Sequence, residues 1–254
     1  MPMDNKVNEK EKIVKIDTRG VYYKQLNARL RELSSDGVAK IELDNVCGQR
    51  YIGTDLNRQI DIEIKGTPGN DLGAFMNGPR ITVYGNAQDG CGNTMDDGEI
   101  IVHGHAGDII GLSARGGKIF IRDYVGYRAG IHMKEYKDKK PSLVIGGTAQ
   151  DFLGEYMAGG ILVLLGLNGE EHQAKFIGTG MHGGVIYLRG SVEDYQLGKE
   201  VAIAQVKEED HNIIGQLVNQ FATHFGYDAG EILKGKFIKL YPRNRRPYGR
   251  LYTY

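Results

Sequence analysis

The sequence has no tryptophan, only six prolines and only two cysteines among 254 residues. Two cysteines cannot build a disulfide framework, which excludes the small disulfide-stabilised secreted domains. No apolar run approaches the roughly 18 residues that a membrane-spanning helix needs. The charged opening segment MPMDNKVNEKEK lacks the apolar centre of a signal peptide. We therefore expect a cytoplasmic protein that does not bind membranes.

An excess of one charge is also missing, because 32 Lys and Arg residues balance 32 Asp and Glu residues. A net charge of zero gives no general attraction to nucleic acid or to anionic lipid. Glycine is abundant instead, with 37 residues, about twice its usual share. Since 41% of the residues are hydrophobic, the chain can bury a core and is not a disordered glycine-rich polymer.

The glycine-rich stretches recur with a fixed spacing. GNAQDGCGNTMDDG begins at Gly85 and GHAGDIIGLSARGG begins at Gly104, 19 residues later. Seven units, whose first residue we number position 0, begin at Ile62, Ile81, Ile100, Ile119, Leu143, Leu162 and Ile186. Each unit opens with two β-branched or leucine residues two positions apart, and turn residues follow. This pattern predicts a short strand with one buried face, ending in a turn.

Two positions of the repeat are nearly constant in the first six units. The sixth unit carries extra residues before position 10, so its positions 10 to 14 are counted back from the start of the seventh unit. Position 11 is always glycine: Gly73, Gly92, Gly111, Gly130, Gly154 and Gly178. Position 14 is methionine in five units: Met76, Met95, Met133, Met157 and Met181. The glycine predicts a corner with positive φ or with too little room for a Cβ, and methionine suits an irregular buried corner. Both sets are interpreted as structural, not catalytic.

A unit of 19 residues is too short for a strand plus a crossover helix, so we predict a parallel β-helix with coils stacked about 4.8 Å apart. A looser first coil is expected at residues 41–59. Two amphipathic helices, one between Thr18 as N-cap and Gly37 as stop and one over Ile213–Phe225, should cover the open ends. The expected organisation is a disordered or extended segment 1–17, a helical region 18–40, the β-helix 41–200, and a helix with a basic tail over 201–254.

Several residues could carry chemistry, and each has a structural interpretation. GTGMHG at 178–183 matches a dinucleotide fingerprint but precedes VIYLRG, which reads as a strand where the fingerprint needs a helix. The aspartates at position 8 are predicted to bond their own turn backbone instead of calcium. They are Asp89, Asp108 and Asp151. We predict no bound cofactor.

The cysteines and histidines are also interpreted as structural. Cys91 stands at position 10 between apolar neighbours, which predicts a buried thiol, and Cys47 lies in the looser coil. His103 and His105 form a pair without a second pair of ligands, so no metal site is predicted. Two further histidines, His132 and His182, lie beside methionine positions of the repeat and are expected at the surface or in turns.

The outward rows of the predicted strands, positions 1 and 3, become apolar or mixed along the stack and show no converging carboxylates. They include Tyr84, Ile101, His103, Phe120 and Val144. We interpret these rows as a partner surface and not as a catalytic face. The tail from Lys234 has seven Lys and Arg, four Tyr and no acidic residue. It is interpreted as an exposed arm that docks on a protein rather than on nucleic acid.

Several stretches resemble one family. GNAQDGCGNTMDDGEIIVHG resembles the GxGxG repeat of the C-terminal domain of the glutamate synthase large subunit, and GTPGNDLGAFMNG looks like the coil before it. GEYMAGGILVLLG followed by GTGMHGGVIYL is similar to the EYMxGG and GMxGGxxY stretch, and THFGYDAGEIL to the terminal helix. The resemblance covers about residues 18 to 235. It implies a mainly β fold, a right-handed single-stranded parallel β-helix of about 7–8 coils with N- and C-terminal helices.

The resemblance also implies a role without chemistry. The family's glutaminase reaction uses an N-terminal cysteine, whereas residue 2 here is Pro2, and the flavin and iron–sulfur sites belong to other domains. The implied protein is a non-catalytic scaffold of a glutamate synthase-like oxidoreductase complex in glutamate biosynthesis. Its implied partners are a glutaminase chain and an FMN-binding glutamate synthase chain, and a homo-oligomer stays open. The alternatives are a subunit of a formylmethanofuran dehydrogenase-like complex and an independent ligand-binding β-helix.

Overall fold

The computed structural model describes residues 13–169 and 171–243. Its strands are β1 (Ile13–Asp17), β2 (Lys40–Cys47), β3 (Asp61–Thr67), β4 (Asn77–Tyr84), β5 (Asp97–Val102), β6 (Lys118–Ile121), β7 (Ser142–Ile145), β8 (Ala158–Leu164), β9 (Gly183–Arg189), β10 (Val201–Gln205) and β11 (Phe237–Pro242). Its helices are α1 (Tyr23–Ser35), α2 (Glu208–Phe225) and α3 (Ala229–Leu233), with a 3-10 turn at Asp194–Gln196.

The strands form one 11-stranded sheet in the order β1-β2-β3-β4-β5-β6-β7-β8-β9-β11-β10. From β1 to β9 every neighbouring pair is parallel, and the register pairs equal positions of successive units, as Ile62 with Ile81 and Ile81 with Ile100. The chain is therefore a mainly β solenoid of about seven turns, which confirms the predicted fold class.

The core is a set of ladders inside the solenoid. Positions 0 and 2 of all seven units are at most 2% exposed, because the strands turn these side chains to the same inner face. Positions 10 and 14 complete the same apolar cluster from the opposite wall. Burial of each large side chain contributes roughly 1.5–3 kcal/mol, and the ladders together account for most of the apolar stabilisation.

One coil precedes the seven units, and the seventh unit completes a corner of its own. In the looser first coil, the carbonyl of Ile52 accepts the N–H of Gly73 at 2.8 Å, and Ile52 is fully buried. In the seventh unit, which begins at Ile186, Gly198 donates to the carbonyl of Ile177 at 2.8 Å in the same manner. Val201 then takes the buried place that methionine holds in earlier units. The sequence predicted the first coil and missed the corner of the seventh unit.

The N-terminal helix begins later than predicted. Thr18 is not its N-cap: this residue is fully buried, and its hydroxyl donates to the carbonyl of Asp44 at 3.0 Å. The reason is that β1 runs beside β2 up to Asp17, and the backbone N–H and hydroxyl of Thr18 continue this pairing by donating to the carbonyl of Asp44. Gly37 follows the helix at a φ of +74°, as predicted for the residue after a helix end. Residues 1–12 of the expected N-terminal segment lie outside the described residues.

The C-terminal helix does not cover an open end of the solenoid. Instead α2 lies along the outer face of the sheet, where Ile214, Val218 and Phe221 are fully buried. The outward row at position 1 is apolar from β5 to β8 and continues with Tyr187 in β9, so the amphipathic helix buries it. Ile101, Phe120 and Val144 are consequently at most 3% exposed. The prediction that these three form a partner surface is wrong.

The end of the sheet after β9 is closed by two strands instead. β11 pairs antiparallel with β9 on one side and with β10 on the other. Phe237–Pro242 is therefore part of the sheet and not part of an arm, because Leu240 is fully buried in the solenoid core. Of the predicted basic arm, residues 244–254 lie outside the described residues. Within the part of the chain that is described, no helix is long and apolar enough to cross a membrane.

Candidate functional site

The invariant glycines form one line of corners along the solenoid. All six have a φ between +65° and +75°, a region that residues with a Cβ rarely adopt. Each glycine N–H donates to the position 10 carbonyl of the preceding coil, as Gly154 does to Ala129 at 2.8 Å. Each corner therefore contributes one backbone hydrogen bond between neighbouring coils.

Space is the second constraint at these corners. A Cβ on Gly154 would lie 2.7 Å from Cδ1 of Ile186, and one on Gly130 would lie 2.8 Å from Cδ1 of Leu162. Both neighbours are position 0 side chains of the unit two further along. Gly111 is the looser case, since its nearest neighbour would be 3.6 Å away. Positive φ applies at every corner, and close packing applies at most of them.

The methionines line the inside of the same corners. All five are at most 1% exposed. The sulfur of Met133 lies 3.3 Å from the place that a Cβ on Gly130 would take, so the flexible side chain fills the room that glycine leaves.

The position 8 aspartates form hydrogen bonds from one coil to the next. Asp89 Oδ1 accepts the backbone N–H of Asp108 at 2.9 Å, and Asp108 Oδ1 accepts that of Tyr127 at 2.8 Å. The prediction that they bond their own turns is wrong, because the nearest backbone donors lie in the following coil. Over residues 13–169 and 171–243 no group of three or more His, Cys, Asp or Glu could hold a metal ion.

The dinucleotide-like stretch is part of the solenoid. Gly178 and Gly180 have φ values of +67° and +70°, and β9 starts at Gly183. A strand follows, as the sequence predicts, and the helix that a dinucleotide site requires is not formed there.

The two cysteines differ in environment. Cys91 is fully buried in the position 10 ladder, and burial raises the pKa of its thiol to about 12. This thiol stays protonated at neutral pH and is a poor nucleophile. Cys47 lies exposed at the end of β2.

The paired histidines make aromatic contacts. His103 stacks on Tyr84 with ring centres 5.0 Å apart, and Phe225 of α2 meets it edge-on at 5.0 Å. Burial lowers the pKa of His103, and the nearby charge of Arg122 lowers it further. His105 stacks on Tyr124 at 4.7 Å. These contacts fit the structural interpretation of the pair.

Part of the outer sheet face is left largely open by α2, which reaches its edge where Phe225 meets His103. We call Glu63, Lys65, Thr82, Tyr84 and His103 the open face; they belong to rows 1 and 3 of β3, β4 and the residue after β5. A groove of about 320 Å³ separates this face from the C-terminal end of α2. The open face is what remains of the partner surface that the sequence predicted.

A row of alternating charge borders the open face. Arg80 binds Glu99 at 2.7 Å, and His224 of α2 lies 3.5 Å from the same carboxylate. Burial raises the pKa of Glu99, but the nearby His224 and the hydrogen bond from Arg80 outweigh burial and hold it below the usual value. The carboxylate thus faces Arg80 on the sheet and His224 near the end of α2.

A buried polar cluster fixes the other end of α2. The Tyr187 hydroxyl and the Lys239 ammonium each donate to Asp210 Oδ1 at 2.6 Å, and the backbone N–H of Lys207 donates to Oδ2 at 3.0 Å. Tyr187 and Asp210 are each 1% exposed. Burial raises the pKa of Asp210, but these hydrogen bonds outweigh burial and keep it below its usual value. The cluster is closed to substrates and acts as an anchor that the sequence did not predict.

We expect Asp210→Asn to lower the free energy of unfolding at pH 7 by about 2 kcal/mol, because a charged acceptor of three hydrogen bonds is lost. The folded pKa of Asp210 lies below its unfolded value. Its contribution is therefore complete above about pH 4 and is lost as the pH falls through the folded pKa. Urea unfolding at pH 7 and pH 3 should show the difference shrink. The exposed change Asp138→Asn is the control, and a pH-independent difference for Asp210→Asn would contradict the anchor.

The repeat and its corners match a known family. A family model described as the GXGXG motif matches residues 27–243. The chain belongs to the GXGXG motif family. This family is the C-terminal domain of the glutamate synthase large subunit, which confirms the family that the sequence resembles. The chain is also 50% identical over 251 residues to the uncharacterized protein MJ1350 of Methanocaldococcus jannaschii, covering 94% of this chain and 96% of that protein.

In this GXGXG chain the spacing of two residues between glycines has a structural meaning. Positions 9, 11 and 13 all have positive φ, as Gly90, Gly92 and Thr94 show with +70°, +72° and +53°. Two overlapping turns produce this alternation, since the N–H of Asn93 donates to Gly90 and that of Met95 to Gly92. The sequence predicted only the central position of the three.

Proposed function

We propose that this chain is a non-catalytic scaffold subunit of a glutamate synthase-like complex. It would link a glutaminase chain to an FMN-binding glutamate synthase chain in glutamate biosynthesis. The observation that carries the proposal is the GXGXG match over residues 27–243, nearly the whole described chain. In a glutamate synthase large subunit this domain is one part of a longer chain; here it would act as a separate subunit in the cytoplasm.

The shape of the molecule supports a spacer. About seven turns at about 4.8 Å give a rod about 34 Å long. Backbone hydrogen bonds connect each coil to the next along the stack, and the side chains of the inner ladders are buried. Such a rod resists bending, so two chains attached to it keep a fixed separation.

The side chains support a role in binding and not in chemistry. The thiol of Cys91 is buried and protonated, and the Asp210 cluster is closed. The open face, in contrast, is accessible and mixes charged and aromatic groups: Tyr84 is 48% exposed and Lys65 is exposed beside it. Aromatic residues are enriched where proteins meet, so the open face is the proposed contact with one partner.

The test is co-expression with a glutaminase chain and an FMN-binding chain encoded in the same genome, followed by affinity capture through this chain. The full chain is expected to retain both partners at micromolar concentration. Lys65→Ser combined with Tyr84→Ser should reduce retention of one partner at least tenfold. Lys24→Ser combined with Tyr22→Ser, which removes the same residue types from exposed positions at and just before the start of α1, should retain both.

The outcomes separate two claims. Retention of neither partner by the full chain would refute the scaffold function. Equal retention by the two double variants would refute the open face as the contact while leaving the scaffold in place. A truncation for this purpose has to end after Arg243, because an earlier end would remove β11 from the sheet.

A further inference from the structure

A second exposed surface lies on the turn side of the solenoid. We call it the turn-side patch: Phe152 and Phe176 at position 9, and His132 and Tyr156 at position 13. The rings stack in pairs, with centres 5.0 Å apart for the two phenylalanines and 5.4 Å apart for His132 and Tyr156. Phe176 is 47% exposed and Tyr156 is 43% exposed. Arg128 holds its guanidinium 4.5 Å from the ring centre of Phe152.

The backbone does not require these side chains. All four patch residues have positive φ, between +51° and +66°, which an aromatic residue adopts only at a cost. Glycine takes the same positions in other coils, as Gly90 does at position 9 and Gly180 at position 13. Other side chains also occupy these positions, as Asp71 and Ile109 do, so the corner geometry does not demand a ring. The exposed rings of Phe176 and Tyr156 are accessible to a further contact.

The described chain ends beside this patch. The position 13 row runs from His132 through Tyr156 and Gly180 to Glu200. The backbone N–H of Arg243 donates to the carbonyl of Glu200 at 2.7 Å, and the Glu200 carboxylate accepts the N–H of Gly180 at 3.1 Å. A side chain on Gly180 would run into the ring of Tyr156. Arg243, the last described residue, is thus hydrogen-bonded to Glu200, which continues the position 13 row of His132 and Tyr156.

The chain that follows has the chemistry to cover the patch. NRRPYGRLYTY, residues 244–254, contains three arginines, three tyrosines and no acidic residue. Eleven residues reach about 36 Å when extended, whereas the three coils from Glu200 back to His132 span about 14 Å. Arginine and tyrosine stack on aromatic rings, so the exposed rings of the patch can receive the side chains of this segment. The carboxylates of Asp151 and Glu200 border the patch, as do the cations Arg128 and Lys175, so length, starting point and ring stacking carry the fit and net charge does not.

We propose that residues 244–254 bind along the turn-side patch of the same chain, with their arginine and tyrosine side chains on Tyr156, Phe176 and Phe152. The proposal is independent of the scaffold function. It assigns the basic tail an intramolecular site where the sequence suggested an arm for a partner.

The test measures binding of a fluorescent peptide of residues 244–254 by anisotropy. A chain that ends at Arg243 is expected to bind the peptide saturably, because its patch is vacant. The full chain should bind at least tenfold more weakly, because a tethered tail competes at high effective concentration. In the shortened chain, Tyr156→Ser combined with Phe176→Ser should weaken binding at least tenfold. The control pair Tyr22→Ser and Tyr124→Ser, two exposed aromatic residues outside the patch, should leave binding unchanged.

Three results would overturn the proposal. These are equal binding by the shortened and full chains, equal binding by the patch and control variants, and a full-length dimer that becomes a monomer on shortening. The last result would assign the patch to the tail of a second copy. If the shortened chain does not fold, full chains carrying Tyr248→Ser, Tyr252→Ser and Tyr254→Ser replace it in every comparison.

Discussion

Gly154→Val is expected to cost about 2–5 kcal/mol of unfolding free energy and to leave the chain close to unfolded. Two effects add. An L residue at a φ of +67° costs about 1–2 kcal/mol, and a β-branched residue resists this region most. The new side chain also has to displace Ile186, whose Cδ1 would lie 2.7 Å from the Cβ, and overpacking typically costs about 1–3 kcal/mol. Urea unfolding followed by circular dichroism measures the loss.

A matched pair separates the two causes. Gly111 has nearly the same φ, +70°, but its Cβ would meet nothing closer than 3.6 Å. Gly111→Ala should therefore show the conformational cost alone, and Gly154→Ala should lose about 1–3 kcal/mol more. If both alanine variants lose the same stability, packing against the next coils is not part of the glycine requirement. If neither loses stability, the corner geometry is wrong.

Met157→Asp is expected to destabilise the protein even more than Gly154→Val. Met157 is fully buried in the position 14 ladder. Loss of its side chain alone should cost about 2–5 kcal/mol, as in Met157→Ala, and a carboxylate without a partner adds several more. The sum is comparable to the whole stability of a typical domain, so the variant should be unfolded at pH 7.

The adjacent residue provides the control. Tyr156 is 43% exposed at a φ of +51°, a conformation that aspartate tolerates better than most residues. Tyr156→Asp should lose only about 1 kcal/mol, mainly the stacking on His132. Two aspartate variants one residue apart should therefore differ by several kcal/mol in urea unfolding. Similar stability of the two would mean that the repeat register is misassigned.

The repeat made the solenoid predictable from the sequence. A fixed period places equal positions one above another, so the apolar positions 0, 2, 10 and 14 identify the core without any knowledge of loops. The invariant glycine similarly predicted a positive φ. Positions 9 and 13 were missed because their residues share no type, ranging from Asp71 and Ile109 to Arg128, although Gly90 and Gly180 carry the signal.

The positions of the terminal elements could not be predicted in the same way. An amphipathic helix shows that it buries one face, but the pattern of Ile214, Val218 and Phe221 does not say against which surface. The apolar outward row at Ile101, Phe120 and Val144 was recognised separately and assigned to a partner, whereas the chain's own helix covers it. β11 was missed because it pairs antiparallel and lies outside the repeat.

The buried anchor of α2 depends on contacts between distant parts of the chain. Asp210, Tyr187 and Lys239 each look ordinary in the sequence, and only the fold brings them together. Tyr187 stands at position 1 of β9, in the row that the helix covers. A polar residue in an otherwise apolar outward row is the signal that could have pointed to a buried partner.

The most direct test of the scaffold claim is whether this chain bridges its two proposed partners. The glutaminase chain and the FMN-binding chain are co-expressed with and without it, and the molar mass of the assemblies is measured by light scattering after size exclusion. The scaffold function predicts one species containing all three chains when this chain is present, and separate partners when it is absent. Association of the two partners in its absence, or no ternary species in its presence, would contradict it.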